Sequence, residues 1–318
     1  MRAGAIGLSL LADPLDTEIL FALEPGPCSL VDLRRTLGSP PQTTLRNHLR
    51  TLTECGVLSR IQQRAFPGAV GYELGPAGPG LLDAASVVSA WLATSPDGPL
   101  AIGDTGAKSA IHAFVDGWTS NIIRALAARP LSLTELDHLI KGFNYPALQR
   151  RLGAMRMAGQ IVPSRARAGS TSYKVTRWVR QAIVPLAAAA NWEHHWVPGK
   201  GEALRRYDIE ATFLLALPLL ELTPDVSGSC RLEVEIAEGT EQTVAGVVVV
   251  LEQGRPVSCR ADLREPVENS ASGSAGAWLA ALGGSGGSDP GIRKDGVVAD
   301  LIVSGLQRSL ALAEASPA

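Results

Sequence analysis

One apolar pattern occurs twice in this chain of 318 residues, at 16–58 and again at 119–161. Ile19, Leu20, Leu23, Ser29, Leu30, Leu33, Leu45, Leu49, Leu52 and Gly56 stand opposite Ile122, Ile123, Leu126, Ser132, Leu133, Leu136, Leu148, Leu152, Met155 and Gly159, each pair 103 positions apart. An offset held across several helical turns and two loops defines an internal repeat, which sets the architecture before any single element is read. Further on the offset falls to 101, pairing Tyr72 with Tyr173 and Trp91 with Trp192. The two residues lost belong to a hairpin tip, where a change of length leaves both flanking frames intact.

In the first copy the spacing predicts a helix over Asp16–Leu23, stopped at Pro25-Gly26. Ser29 caps a short helix bearing Leu30, Leu33 and Leu37, and Gly38-Ser39-Pro40-Pro41 turns the chain. A third helix runs from Gln42 to Glu54, with Leu45, Leu49 and Leu52 at i, i+4 and i+7 facing inward and Gln42, Thr43, Arg46, Asn47 and Arg50 facing outward. Gly56 ends it and Val57-Leu58 open a strand. Arg60 and Arg64 lie on the way to a Pro67-Gly68 turn, and Tyr72-Glu73-Leu74 return. The second copy has a capping-box sequence from Ser132 to Glu135, and Asn144-Tyr145-Pro146 opens its third helix. There Leu148, Leu152 and Met155 face inward, while Tyr145, Gln149, Arg150 and Arg156 are available outside. Arg165 and Arg167 make a basic hairpin, and Tyr173-Lys174-Val175 return.

The net charge of −2 hides a division. Residues 1–95 carry seven Lys and Arg against eight Asp and Glu, residues 96–206 fifteen against seven, and residues 207–318 seven against sixteen. The basic excess coincides with the repeat and suits a polyanion partner, while the acidic tail suits another task. Arg, Asn and Gln on a helix of this kind match the hydrogen-bonding pattern of base edges in a major groove, and hairpin arginines match phosphates or the minor groove. The four cysteines (Cys28, Cys55, Cys230, Cys259) show no metal spacing, which favours a reduced, cytoplasmic setting over a disulfide framework. No apolar run reaches the length of a membrane span, and no signal-peptide cleavage pattern follows the N-terminus.

Leu33-x3-Leu37, then the unbroken run Thr44-Leu45-Arg46-Asn47-His48-Leu49-Arg50-Thr51-Leu52, Gly56-Val57-Leu58 and Gly71-Tyr72-Glu73-Leu74, resemble the winged helix-turn-helix transcriptional regulators of the HxlR/MarR type. Trp118, Leu148-x-x-Arg151-Leu152-x-x-Met155-x3-Gly159 and Tyr173-x-Val175-Thr176 extend the resemblance to the second copy, so that it covers roughly residues 10–196. The resemblance implies a sequence-specific DNA-binding regulator, often responsive to a small ligand. Such regulators usually dimerise through separate chains, whereas here two units share one. A monomer acting as a pseudo-dimer and a homodimer are both open at this point. Winged units also serve as protein-interaction modules.

The expected fold class is mainly α with β-hairpin wings: two tandem winged helix-turn-helix domains, 1–95 and 96–200, followed by a small α+β domain, 201–318. Ala-rich helices over Leu81–Ala93 and Trp178–Trp196 are expected as linkers or packing helices. In the third segment, a helix over Phe213–Leu222 precedes antiparallel strands around Leu232–Ile236, Val244–Leu251 and Val257–Leu263, a short helix over Ser274–Leu282 and a closing helix over Gly296–Ala313. In that order, with Ala275-x-Ala277-Trp278-Leu279-x-x-Leu282, the segment loosely resembles sterol-carrier-like domains, which implies a pocket at Trp278 for a small apolar effector. The competing expectation makes Trp278 plain core.

Glu193, His194 and His195 are adjacent and lack the i, i+3 or i+4 spacing of ligands on a helix, so no metal or cofactor is expected. Asp289, Asp295 and Asp300 do not match a calcium loop, and the Gly283–Gly287 stretch is not followed by the Lys-Ser/Thr of a phosphate cradle. No nucleophile set supports an enzyme. The partner expected is double-stranded DNA, with Gln42, Thr43, Arg46, Asn47, Arg50, Arg60, Arg64, Tyr145, Gln149, Arg150, Arg165 and Arg167 as contacts. A reading from another class is a ligand-binding or carrier protein that uses the winged units as scaffold.

Overall fold

Residues that match at a fixed offset fold into matching elements. A computed structural model describes residues 3–62, 70–140, 142, 144–165, 171–197, 204–238, 241–283 and 291–310. Helix dominates, with small sheets. The first unit runs α1 (Ala5–Ala12), α2 (Pro14–Leu23), β1 (Cys28–Ser29), α3 (Leu30–Thr36), α4 (Gln42–Glu54), β2 (Leu58–Gln62), β3 (Val70–Leu74) and α5 (Gly78–Ala93). The second runs α6 (Thr105–Val115), α7 (Gly117–Ala128), β4 (Leu131–Ser132), α8 (Leu133–Leu139), α9 (Tyr145–Met157), β5 (Ile161–Arg165), β6 (Thr171–Val175), α10 (Arg177–Gln181) and α11 (Ile183–Trp196). Each unit has a three-stranded antiparallel sheet of the same order, β1-β3-β2 and β4-β6-β5. The two-residue strands β1 and β4, and the helices α1 and α6, are additions to the sequence reading.

The caps explain the bounds. Ser29 Oγ accepts the N–H of Asp32, and Ser132 and Glu135 form the full capping box. At the ends of α4 and α9 the left-handed glycines Gly56 (φ 72°) and Gly159 (φ 63°) direct the N–H groups of Val57 and Gln160 back to the carbonyls of Leu52 and Met155. This is the Schellman closure, which glycine makes without a Cβ penalty. The single helix expected over Trp178–Trp196 is broken into α10 and α11, because Pro185 offers no N–H and its ring crowds the carbonyl four residues back.

The Ala-rich helices are not linkers but the seam between the units. Helix α5 packs on α11, and α1 packs on both α6 and α11. Trp91 Nε1 donates to the Trp178 carbonyl at 2.9 Å, and Trp192 Nε1 donates to the Ala77 carbonyl at 2.9 Å. Trp91 pairs with Trp192, and Ala77 with Trp178, at the offset of 101, so the two bonds are one contact made twice in opposite senses. That is the reciprocity of a two-fold, isologous interface, here between halves of one chain. Trp178 adds an asymmetric element: its ring stacks on Trp91 at 4.7 Å with planes 9° apart.

Glu193, buried on α11, caps α1. Its carboxylate accepts the N–H groups of Gly4 (2.8 Å), Gly7 (3.1 Å) and Ile6. A negative group at a helix N-terminus satisfies donors that have no partner in the helix and meets the positive end of its dipole. Burial pushes this carboxyl above the ordinary glutamate range, outweighing the three hydrogen bonds that lower it.

The third segment comprises α12 (Arg206–Ala216), a 3-10 turn (Leu217–Leu219), β7 (Gly228–Glu238), β8 (Glu241–Glu252), β9 (Arg255–Arg260), β10 (Asn269–Ser274), α13 (Ala275–Leu282), β11 (Arg293–Asp295) and α14 (Val297–Leu310). The helix expected over Phe213–Leu222 begins earlier and ends at Ala216, just before Leu217-Pro218-Leu219 tightens into the 3-10 turn. The sheet order is β11-β10-β7-β8-β9: the three expected strands, β7, β8 and β9, pair antiparallel, and β10, a strand the sequence did not announce, lies parallel to β7 and makes the sheet mixed. Segment 269–274 (Asn-Ser-Ala-Ser-Gly-Ser) has no β-branched residue, so it gave no strand signal. This segment docks on the second unit through Arg124 Nη2, 2.8 Å from Asp208 Oδ1, through Arg180 Nη1, which donates to the Leu214 carbonyl at 2.9 Å, and through α13 against α11.

Candidate nucleic-acid interface

Helices α4 and α9 each bury one face and expose the other. Leu45, Leu49 and Leu52, and in the second unit Leu148, Leu152 and Met155, are at most 2% exposed. Opposite them Gln42, Thr43, Arg46, Asn47 and Arg50 on α4, and Tyr145, Gln149, Arg150 and Arg156 on α9, lie in solvent. Arg46 and Asn47 form no side-chain hydrogen bond or ion pair among the described residues, and Arg50 lies 3.8 Å from Glu54 one turn along. A solvated ion pair at that distance is worth little and yields readily to another anion. Arg60 is exposed on β2 beside the hairpin. Arg165 ends β5, but its side chain, like Arg64 and Arg167, lies outside the described residues.

Each outward helix is braced from behind by a contact between a nitrogen-bearing side chain and a carboxylate, which apolar periodicity does not reveal. In the first unit His48 Nδ1 lies 2.8 Å from Asp16 Oδ1 and 3.8 Å from Asp13 Oδ1. In the second, Arg151 Nη2 lies 3.1 Å from Asp116 Oδ2. Asp13 pairs with Asp116, and His48 with Arg151, at the offset of 103, so the repeat that located the leucines also locates the brace. Both acids cap the following helix, Asp13 accepting from Leu15 N–H and Asp116 from Thr119 N–H.

The two braces differ electrostatically. Burial drives the Asp16 carboxyl above the ordinary aspartate range, and His48 only partly counters it. Burial also pushes Asp116 upward, but the Thr119 hydroxyl and N–H and the Arg151 guanidinium together outweigh it and hold the carboxyl below that range. Asp13, Asp16 and His48 bring their ligand atoms within 4.8 Å of one another, a spacing that could hold a metal ion, although such clusters are common without one. Glu193, weighed above for a metal beside His194 and His195, is committed to the α1 cap. Beside α9, Trp118, Ala147, Arg150 and Arg151 line an open cleft of about 500 Å³.

Trp278, expected at an effector pocket or as core, is 3% exposed. Its Nε1 donates to the Glu233 carbonyl at 2.9 Å, and its ring meets Phe213 edge-on at 5.0 Å. Among the described residues no helix is long and apolar enough to cross a membrane.

A short capped helix, a turn, an amphipathic helix with a polar outer face and a closing hairpin define a helix-turn-helix unit with a wing. The sequence agrees: residues 11–97 match the family of HxlR-like helix-turn-helix proteins, from the end of α1 to just beyond α5. That family is one of DNA-binding transcription regulators. No curated protein matches the chain.

Proposed function

We propose that the chain is a DNA-binding transcription regulator built from two tandem winged helix-turn-helix domains, 1–95 and 96–200, with an α+β domain, 201–318, attached to the second. The observation that carries this reading is the outer face of α4, where Gln42, Thr43, Arg46, Asn47 and Arg50 are exposed on a helix whose other face is fully packed, inside the segment that matches the HxlR-like family. A helix so presented enters a major groove with its polar face toward base edges, while basic hairpin residues reach phosphates. The second unit supports a like role, since α9 stands in the same frame and exposes Tyr145, Gln149 and Arg150. Arg60, Arg64, Arg165 and Arg167 are assigned to the wings.

With its indole N–H bonded and its ring packed on Phe213, Trp278 is given no ligand in this proposal. The acidic third segment is expected to lie away from the duplex, because its charge opposes phosphate. The test is electrophoretic retardation of genomic fragments by the full chain at two salt concentrations. The expected result is sequence-selective retardation that Arg46→Ala weakens by about 1–3 kcal/mol, the worth of a bidentate base contact. Absence of retardation at low salt would overturn the reading and leave a carrier or scaffold.

A further inference from the structure

We infer that the chain binds its DNA as a single copy and recognises two unlike half-sites, so that its operator is bipartite and not palindromic; this rests on the DNA-binding function proposed above. Two observations meet here. The first is that the two-fold interface is already filled from within. Trp91 and Trp192, at most 3% exposed, donate equivalent hydrogen bonds to the Trp178 and Ala77 carbonyls of the opposite unit, α5 packs on α11, and α1 packs on α6 and α11. A second chain cannot use that surface unless the first one opens.

The second observation is that the two units share their inward residues and differ in their outward ones. At the offset of 103, Leu45 matches Leu148 and Leu49 matches Leu152, but Arg46 matches Gln149, Asn47 matches Arg150 and Arg50 matches Gly153. All of the six outward positions are exposed. Arginine pairs bidentately with the O6 and N7 of guanine, whereas glutamine and asparagine pair with the N6 and N7 of adenine. Arg–Asn at one frame and Gln–Arg at the other therefore ask for different bases at corresponding places in the two half-sites. A homodimer presents the same side chains twice and selects a palindrome. This chain presents one backbone frame twice with two sets of side chains.

The closing experiment selects bound duplexes from a random pool with the full chain, then determines the mass of the complex on the selected site. The expected outcome is one chain per duplex and a two-part, non-palindromic motif. Arg46→Ala then relaxes base preference in one part only, and Gln149→Ala in the other only, each lowering affinity about 10- to 100-fold for the parent motif. These residues are solvent-exposed, so the variants keep the fold, which a matching thermal transition verifies. Two chains per site, a palindrome, or a motif that responds to Arg46→Ala alone overturns this inference and leaves DNA binding standing. A pool without enrichment, with no retardation at low salt, overturns both.

Discussion

Removing the Glu193 carboxylate should detach the first helix from the seam it helps to close. In the native structure this one side chain accepts three backbone N–H groups at the start of α1, and Gly4 and Gly7 are buried. A buried donor left without a partner costs about 1–3 kcal/mol, so Glu193→Ala, which strands two buried donors and one half-buried one, should lower stability by roughly 3 kcal/mol or more. Glu193→Gln keeps an acceptor for Ile6 and Gly7 but turns an amide N–H toward Gly4, so its cost should be about half as large. The pH dependence separates charge from hydrogen bonding. Because the folded carboxyl lies above its ordinary 4.5, its favourable contribution is complete below that value and is lost as pH rises through the folded pKa. The advantage of the parent over Glu193→Gln should therefore narrow on going from acid toward neutral pH. Urea denaturation followed by tryptophan fluorescence reads the stabilities, and hydrogen exchange over Ala5–Ala12 reads the detachment. If Glu193→Ala stays within about 0.5 kcal/mol of the parent with α1 still protected, the cap contributes nothing and the reasoning fails.

Three further outcomes are expected. A Cβ at either left-handed glycine costs about 1 kcal/mol; at Gly56 it meets nothing nearer than Ala77 Cβ at 3.8 Å, whereas at Gly159 it meets Pro96 Cγ at 2.5 Å. Thermal denaturation should therefore rank Gly159→Ala well below Gly56→Ala, and equal transitions would contradict the contrast. The lowered Asp116 carboxyl contributes stability that is present above its ordinary 3.8 and lost as pH falls through its folded value, while the raised Asp16 carboxyl works in the opposite sense. On acidification, exchange protection corrected for intrinsic rates should fall in α9 before α4; simultaneous loss would show that the braces do not govern the two helices. Arg165→Ala should weaken binding to all sequences alike and reduce the salt slope by about one phosphate contact, and an unchanged slope would remove Arg165 from the wing assignment.

Much of the first two units was legible because one period carried it. The leucines of α4 and α9 stand at helical spacing, a polar or proline cap precedes them and a glycine follows, so both bounds could be read. Helix α1 gave no such signal: Gly7, Leu8, Leu10, Leu11 and Ala12 are all buried, and a helix packed on most sides has no polar face to betray its period. The seam itself was hidden for a different reason. Its hydrogen bonds join indole N–H groups to carbonyls of the other unit, contacts between segments far apart in the chain, although the matching positions of Trp91 and Trp192 were visible. The braces were within reach, since Asp13, Asp116, His48 and Arg151 obey the same offset, but a search limited to apolar matches passes over them. In the third segment, strand β10 lacked branched residues and its parallel pairing with β7 depends on a crossover that local patterning does not encode.

The seam between α5 and α11 also bears on how occupancy follows abundance. Separate subunits must meet before they bind, so at low copy number the competent species dwindles faster than the total. Covalent continuity replaces that encounter with an intramolecular one, whose effective concentration does not fall on dilution. On the single-copy binding inferred above, site occupancy should then track the amount of this chain in simple proportion when sites are far from saturated.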